Sequence, residues 1–184
     1  MDTHPTALAV SDLQTLRLRS YEWLRARLTL PVRADHERLL DAKYDGVLPI
    51  RVLVDQSGRA GDLIGTPWSS LYLIGDRFKK LLEQGAISGW RAYETVCEGM
   101  PSETAWWVLG VAGRAGPVRT GKGSPVGHDP LGHYLDPREW DGSDLFHPGN
   151  ENTILVTARA AELIREAHLK NVRLEPAGLE STPT

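Results

Sequence analysis

The hydrophobic pattern of Thr153–Pro176, TILVTARAAELIREAHLKNVRLEP, is echoed earlier in the chain. Slid back without a gap, it lies on Leu71–Glu94, LYLIGDRFKKLLEQGAISGWRAYE. Arg77 falls on Arg159, Leu81 on Leu163 and Arg91 on Arg173, while Leu73, Ile74, Leu82, Ile87 and Trp90 fall on apolar partners. Each copy predicts a short apolar strand, a short amphipathic helix, a tight exit and a second strand.

The same reading runs through the rest of the chain. Ser11-Asp12-Leu13-Gln14 has the form of a capping box. With Leu13, Leu16, Trp23, Leu24 and Leu28 at roughly helical spacing, it predicts a helix to about Leu28. Arg17, Arg19, Arg25 and Arg27 read as a solvated helix face with Asp12 and Glu22. Ala34–Lys43 predicts a second short helix and Val47–Val54 a strand, with Gly61–Ser69 as loop. Ala105–Ala112, AWWVLGVA, is the most apolar strand candidate, and as a strand it must send Trp106 and Trp107 to opposite faces. Gly113–Gly149 is rich in Gly, Pro, Asp and His and reads as an irregular insert, where function tends to concentrate. The expected architecture is a single α+β domain. It has an N-terminal helical segment over residues 1–45, a body over 46–176 with a mixed sheet and two strand–helix–strand units (about 71–96 and 153–176), and a tail over 177–184.

Length fits that picture, since 184 residues make one ordinary domain. The net charge of −3 gives no bulk electrostatic case for nucleic acid. No apolar run approaches the roughly 18 residues of a membrane span, so no membrane partner is expected. A lone Cys97 permits no internal disulfide and no multi-cysteine zinc ribbon. The N-terminus lacks the basic and apolar regions of a signal peptide, which makes the cytoplasm the expected compartment.

Candidate chemistry gathers in the insert. Gly116–Gly123 nearly matches a phosphate-binding loop, but Gly123 stands where a magnesium-binding hydroxyl belongs and Pro125, Gly127 and Pro130 bar a following helix. No cofactor is therefore expected. His128, Asp129, His133, Asp136, Asp141, Asp144 and His147 form a set of possible metal ligands, without any helical zinc spacing. A metal-dependent hydrolase built on His128, His133 and an Asp is one reading of them. A small-ligand module with a pocket lined by Trp68, Trp90 or Trp106 is another. The third is a docking loop. Asp129, Asp136, Glu139, Asp141, Asp144 and Glu151 face a single Arg138, with Tyr134, Trp140 and Phe146 between them. Carboxylates steer and aromatics anchor, which suits a basic partner surface.

The order of features, LYLIGDRFKKLLEQGAISGWRAYETV, then AWWVLGV, then WDGSDLFHPGNENTILVTARAAELIREAHLKNVRLEP, resembles bacterial immunity proteins encoded beside polymorphic toxins, the type first described from myxobacteria. The likeness covers about Leu63–Pro176 and consists of packing patterns. Some relatives carry a cysteine-rich metal module near the N-terminus, which a chain with one Cys lacks. The resemblance implies an α+β protein that is not an enzyme and that binds and blocks a cognate toxin. No catalytic residues and no metal site carry over. The expected partner contact is the acidic loop, through Asp129, Asp136, Trp140, Asp141 and Asp144.

Overall fold

The computed structural model describes residues 13–20, 23–30, 32–100, 104–117, 119–120, 133–149 and 151–177. The architecture is α+β, with mixed sheets and three helices among these residues. Asp129 and His128 lie outside the described residues, as does half of the phosphate-loop-like stretch Gly116–Gly123.

The N-terminal segment is not the expected helix. It forms two strands, β1 (Gln14–Leu18) and β2 (Arg25–Thr29). The deciding pattern is alternation. Leu16 and Leu18 are buried while Arg17 and Arg19 are exposed; Leu24, Ala26 and Leu28 are buried while Arg27 and Thr29 are exposed. Leucines every second residue fill one face of a strand, and on a helix they would scatter around the axis. The arginines are thus the outward face of strands.

Helix α1 (Arg33–Leu40) follows, where a second helix was expected. Strands β3 (Ile50–Gln56), β4 (Leu63–Gly65), β5 (Tyr72–Gly75), β6 (Trp90–Glu98) and β7 (Trp106–Val111) then close a barrel with β2, in the order β2-β3-β6-β7-β5-β4. β4 falls in the stretch expected to be loop. The barrel interior is filled by Ala26, Leu28, Ile50, Val52, Ile64, Leu73 and Val108, with Tyr93 and Trp106. Trp106 is buried and Trp107 is half-buried on the other face under Lys79, whose Nζ lies 5.1 Å from the ring centre, as strand alternation requires.

Two further strands, β8 (Gly113–Ala115) and β11 (Leu145–Pro148), arise inside the supposed irregular insert, with a short pair between them, β9 (Arg119–Thr120) and β10 (His133–Tyr134). With β12 (Leu155–Val156) and β13 (Val172–Pro176), β8, β11 and β1 form a second sheet in the order β13-β1-β12-β11-β8. Helix α2 (Asp76–Gln84) joins β5 to β6, and α3 (Ala158–Glu166) joins β12 to β13. One core lies between barrel and sheet. Ile74, Phe78, Leu82, Leu109 and Val111 meet Leu16, Leu145, Ile154, Val156, Ala161 and Ile164 there.

The echo in sequence is an echo in structure. An offset of 82 residues carries α2 onto α3 end to end. In each unit the two parallel strands are separated by one antiparallel strand, β7 between β5 and β6, and β1 between β12 and β13. The exits match too. Ala86 and Gly89 take positive φ, and so do His168 and Asn171 at the same offset. The hairpin β4–β5 pairs Leu63 with Ile74, and β11–β12 pairs Leu145 with Val156. Each hairpin also has a parallel strand beside its first strand, β2 beside β4 and β8 beside β11.

Candidate functional site

The acidic loop folds against the body and spends much of its charge there. Asp144 is 7% exposed. It accepts hydrogen bonds from the Ser88 N–H (2.9 Å), the Ser88 hydroxyl (3.0 Å) and the Thr157 hydroxyl (2.9 Å), and it pairs with the Arg159 guanidinium. Burial alone would raise its carboxyl. The Ser88 N–H, Arg159, Thr157 and the Ser88 hydroxyl outweigh burial and hold it below its ordinary value. Asp136 caps a short 3-10 helix, Pro137–Glu139, by accepting from the Arg138 N–H, and also binds the Arg138 guanidinium. Trp140 tilts against Phe146 at 5.9 Å and donates its indole N–H to the Ser143 carbonyl. Asp141 is exposed, yet both of its oxygens accept backbone N–H groups, from Arg114 (2.8 Å) and Ser143 (2.9 Å).

Through Arg114, Asp141 is linked to a cleft. Arg114, whose N–H it holds, lies on β8 and reaches under α1, where its Nη2 is 2.8 Å from Asp41 Oδ1. Here α1, the loop before β5 and the end of β11 enclose a cleft of about 750 Å³. Arg33, Glu37 and Asp41 line it from α1, Trp68 from the loop, and Arg114, His147 and Glu151 from the second sheet and its exit. These residues lie far apart in sequence. β8 and β11 come together only because they pair in parallel, Phe146 opposite Gly113 and His147 opposite Arg114.

The aromatic wall is Trp68. His36 stacks on it at 4.4 Å with planes 16° apart, and the Arg33 guanidinium sits 5.4 Å from its ring centre while pairing with Glu37 at 3.4 Å. Arg114 is spent inward, its Nη1 donating to the carbonyls of Val111 and Gly113 at 2.7 Å each. Glu37 pairs with Arg33, and Asp41 with Arg114 and with Lys43, so Glu37, Asp41 and Glu151 stand against Arg33 and Arg114 in the cleft lining. The lining thus carries one carboxylate in excess beside Trp68, which favours a ligand group of positive charge.

His147 closes the floor. It is 7% exposed, and its Nδ1 lies 2.9 Å from the Thr153 carbonyl. A carbonyl only accepts, so Nδ1 carries the proton, and Nε2 is buried with no hydrogen-bond partner. Desolvation pushes the imidazole below its ordinary value; the Thr153 carbonyl works against this, and Arg114 adds to it. The ring is thus held neutral, bracing β11 against the turn that follows.

Of the residues singled out in sequence, His147 lines the cleft and Asp141 holds the backbone of Arg114, which lines it, while Asp136, Trp140 and Asp144 are engaged within their own loop, Ser88 and α3. Among the described residues no three His, Cys, Asp or Glu side chains come together as a metal site. Trp68 lines the cleft, Trp90 donates its indole N–H to the Ile87 carbonyl, and Trp106 packs in the barrel. Glu37, Asp41 and Arg114 carried no sequence motif, and their role depends on the parallel pairing of β8 with β11. No helix among the described residues is long and apolar enough to cross a membrane. Neither a protein-family model nor a curated protein sequence matches the chain.

Proposed function

We propose that this is an immunity protein that neutralises a cognate bacterial toxin by binding it and occluding its active site, without chemistry of its own and from the cytoplasm. The observation that carries the reading is the cleft, whose lining brings Glu37, Asp41 and Glu151 together with Trp68, Arg33 and Arg114. A carboxylate in excess beside an aromatic side chain suits a lysine or arginine side chain. A toxin that acts on nucleic acid has a basic groove, and its basic side chains are what occlusion must engage. The resemblance of residues 63–176 to immunity proteins points the same way.

The contact then runs from the exposed Asp141 to the cleft rim. Asp144, with its carboxylate turned into the fold, holds that surface in place. Co-expression with the toxin domain encoded in the neighbouring reading frame tests the reading. Cells carrying both genes should grow, and cells carrying the toxin with the Glu37→Lys/Glu151→Lys variant should not. Growth arrest with the unaltered protein contradicts the reading.

A further inference from the structure

The second sheet ends in an open edge. β13 pairs with β1 on one side, in the register Leu16 opposite Leu174, and no described strand lies on the other. The bonding phase of that edge follows from two hydrogen bonds. Arg19 donates its N–H to the Asn171 carbonyl, and Ala177 donates its N–H to the Leu13 carbonyl. Hydrogen-bonded pairs recur at every second residue of an antiparallel ladder. Arg173 and Glu175 therefore turn their peptide groups toward β1, while Val172, Leu174 and Pro176 turn theirs to the open side.

The side chains divide the other way. Val172 and Leu174 belong to the core beneath α3. Arg173 and Glu175 project from the opposite face beside Arg17, with Arg173 Nη2 2.7 Å from Glu175 Oε1 and Arg17 Nε 3.2 Å from Glu175 Oε2. The strand is thus self-complementary. A second β13 laid antiparallel with Leu174 on the two-fold axis sets Arg173 of each copy opposite Glu175 of the other. Leu174 exchanges both backbone bonds with its mate, and the Val172 N–H meets the Pro176 carbonyl. Proline lacks an N–H, so the ladder ends there. The charged pairs fall at the non-bonded positions, where facing side chains come closest.

In the other half β6, the counterpart of β13, takes a partner on its outer side only beyond the equivalent stretch: β3 runs parallel to Thr95–Glu98, whereas Val172–Pro176 corresponds to Trp90–Glu94. Even a short unpaired edge presents free N–H and C=O groups that another strand can take up. We propose that β13 is the homodimer edge of this protein, joining a second copy of the chain by an antiparallel β13–β13 ladder centred on Leu174 with reciprocal Arg173–Glu175 pairs. The sheet then runs on through both copies, with an α3 from each on the same side.

Sedimentation equilibrium and amide hydrogen exchange on the full chain test this together. The expected result is a concentration-dependent species of twice the 20.3 kDa chain mass, with the Val172 and Leu174 amides gaining protection as it forms. Arg173→Glu should weaken association about tenfold, because two symmetry-related pairs become repulsive. Arg173→Glu/Glu175→Arg should restore it, because the swapped pairs are again complementary. A 20.3 kDa species up to about 1 mM overturns the proposal. So does a dimer whose Val172 and Leu174 amides exchange as in the monomer, or a charge-swapped variant no tighter than Arg173→Glu. Mixed complexes with an unrelated protein's strand in place of self-association overturn it as well.

Discussion

Arg77 and Arg159 reach across to each other's units. Arg77 donates to the carbonyl of Ala167, just after α3, and Arg159 donates to the carbonyl of Gly85, just after α2. Gly85 and Ala167 are equivalent at the same 82-residue offset, so each helix's last carbonyls are capped by the other helix's arginine. Each arginine also meets an aspartate at matching positions, Asp62 for Arg77 and Asp144 for Arg159. The two halves are clamped by one reciprocal device used twice.

The two aspartates should differ in weight. Asp144 satisfies Ser88, Thr157 and Arg159, whereas Asp62 accepts the Lys170 N–H at 2.6 Å and holds Arg77 at 3.6 Å. Asp144→Ala strands more buried donors and should cost about 2–3 kcal/mol in denaturant unfolding, against about 1 kcal/mol for Asp62→Ala. Equal losses would show that the Ser88 and Thr157 bonds contribute nothing.

Two glycines with the same backbone should respond differently to a methyl group. Gly89 has φ of 84° and Gly142 has φ of 85°. A Cβ on Gly89 would run into the Leu145 carbonyl and the Ser143 side chain, and one on Gly142 meets nothing. Gly142→Ala should cost about 1 kcal/mol, the strain of a left-handed alanine, and Gly89→Ala should cost about 3 kcal/mol or more. Thermal unfolding of the pair separates conformational strain from collision.

Acidification should act in two steps with known signs. His147 titrates below its ordinary 6.5 in the fold, so its contribution is complete above pH 6.5 and declines as pH falls toward the folded value. Asp144 titrates below its ordinary 3.8, so its contribution holds above about pH 4 and is lost as pH falls through the folded value. His147→Asn should flatten the first step and leave the second. Unfolding free energies from pH 8 to pH 3 read both.

The units at 71–96 and 153–176 were legible because their strands are apolar runs and their helices, α2 and α3, are strongly amphipathic. The N-terminus misled because Leu13, Leu16, Trp23, Leu24 and Leu28 also satisfy a helical spacing. The Leu-Arg-Leu alternation was the better guide, since buried leucines and exposed arginines take turns along β1 and β2. β4, β8 and β11 were hidden among Gly and Pro. They are short, and pairing with distant strands holds them, which no local pattern reports. The cleft was illegible for the same reason, as α1, Trp68, Arg114 and His147 meet only through tertiary pairing. Asp144 looked like a surface carboxylate because nothing near it in sequence announces Ser88 and Arg159.

The aromatic wall should matter to partner binding separately from charge. Trp68→Ala removes the surface against which His36 and Arg33 rest, and as an aromatic hot spot it should cost about 2 kcal/mol of affinity. Trp68→Phe should recover part of that. Calorimetry on the two variants, with circular dichroism to confirm the fold, checks the order.

The most direct test of the account is the affinity of the purified protein for the toxin domain encoded beside it, measured by titration calorimetry alongside the Glu37→Lys/Glu151→Lys variant. Saturable one-to-one binding of the unaltered protein, weakened at least about tenfold by the two charge reversals, is the predicted result. Absence of binding, or equal affinity of the two proteins, contradicts it.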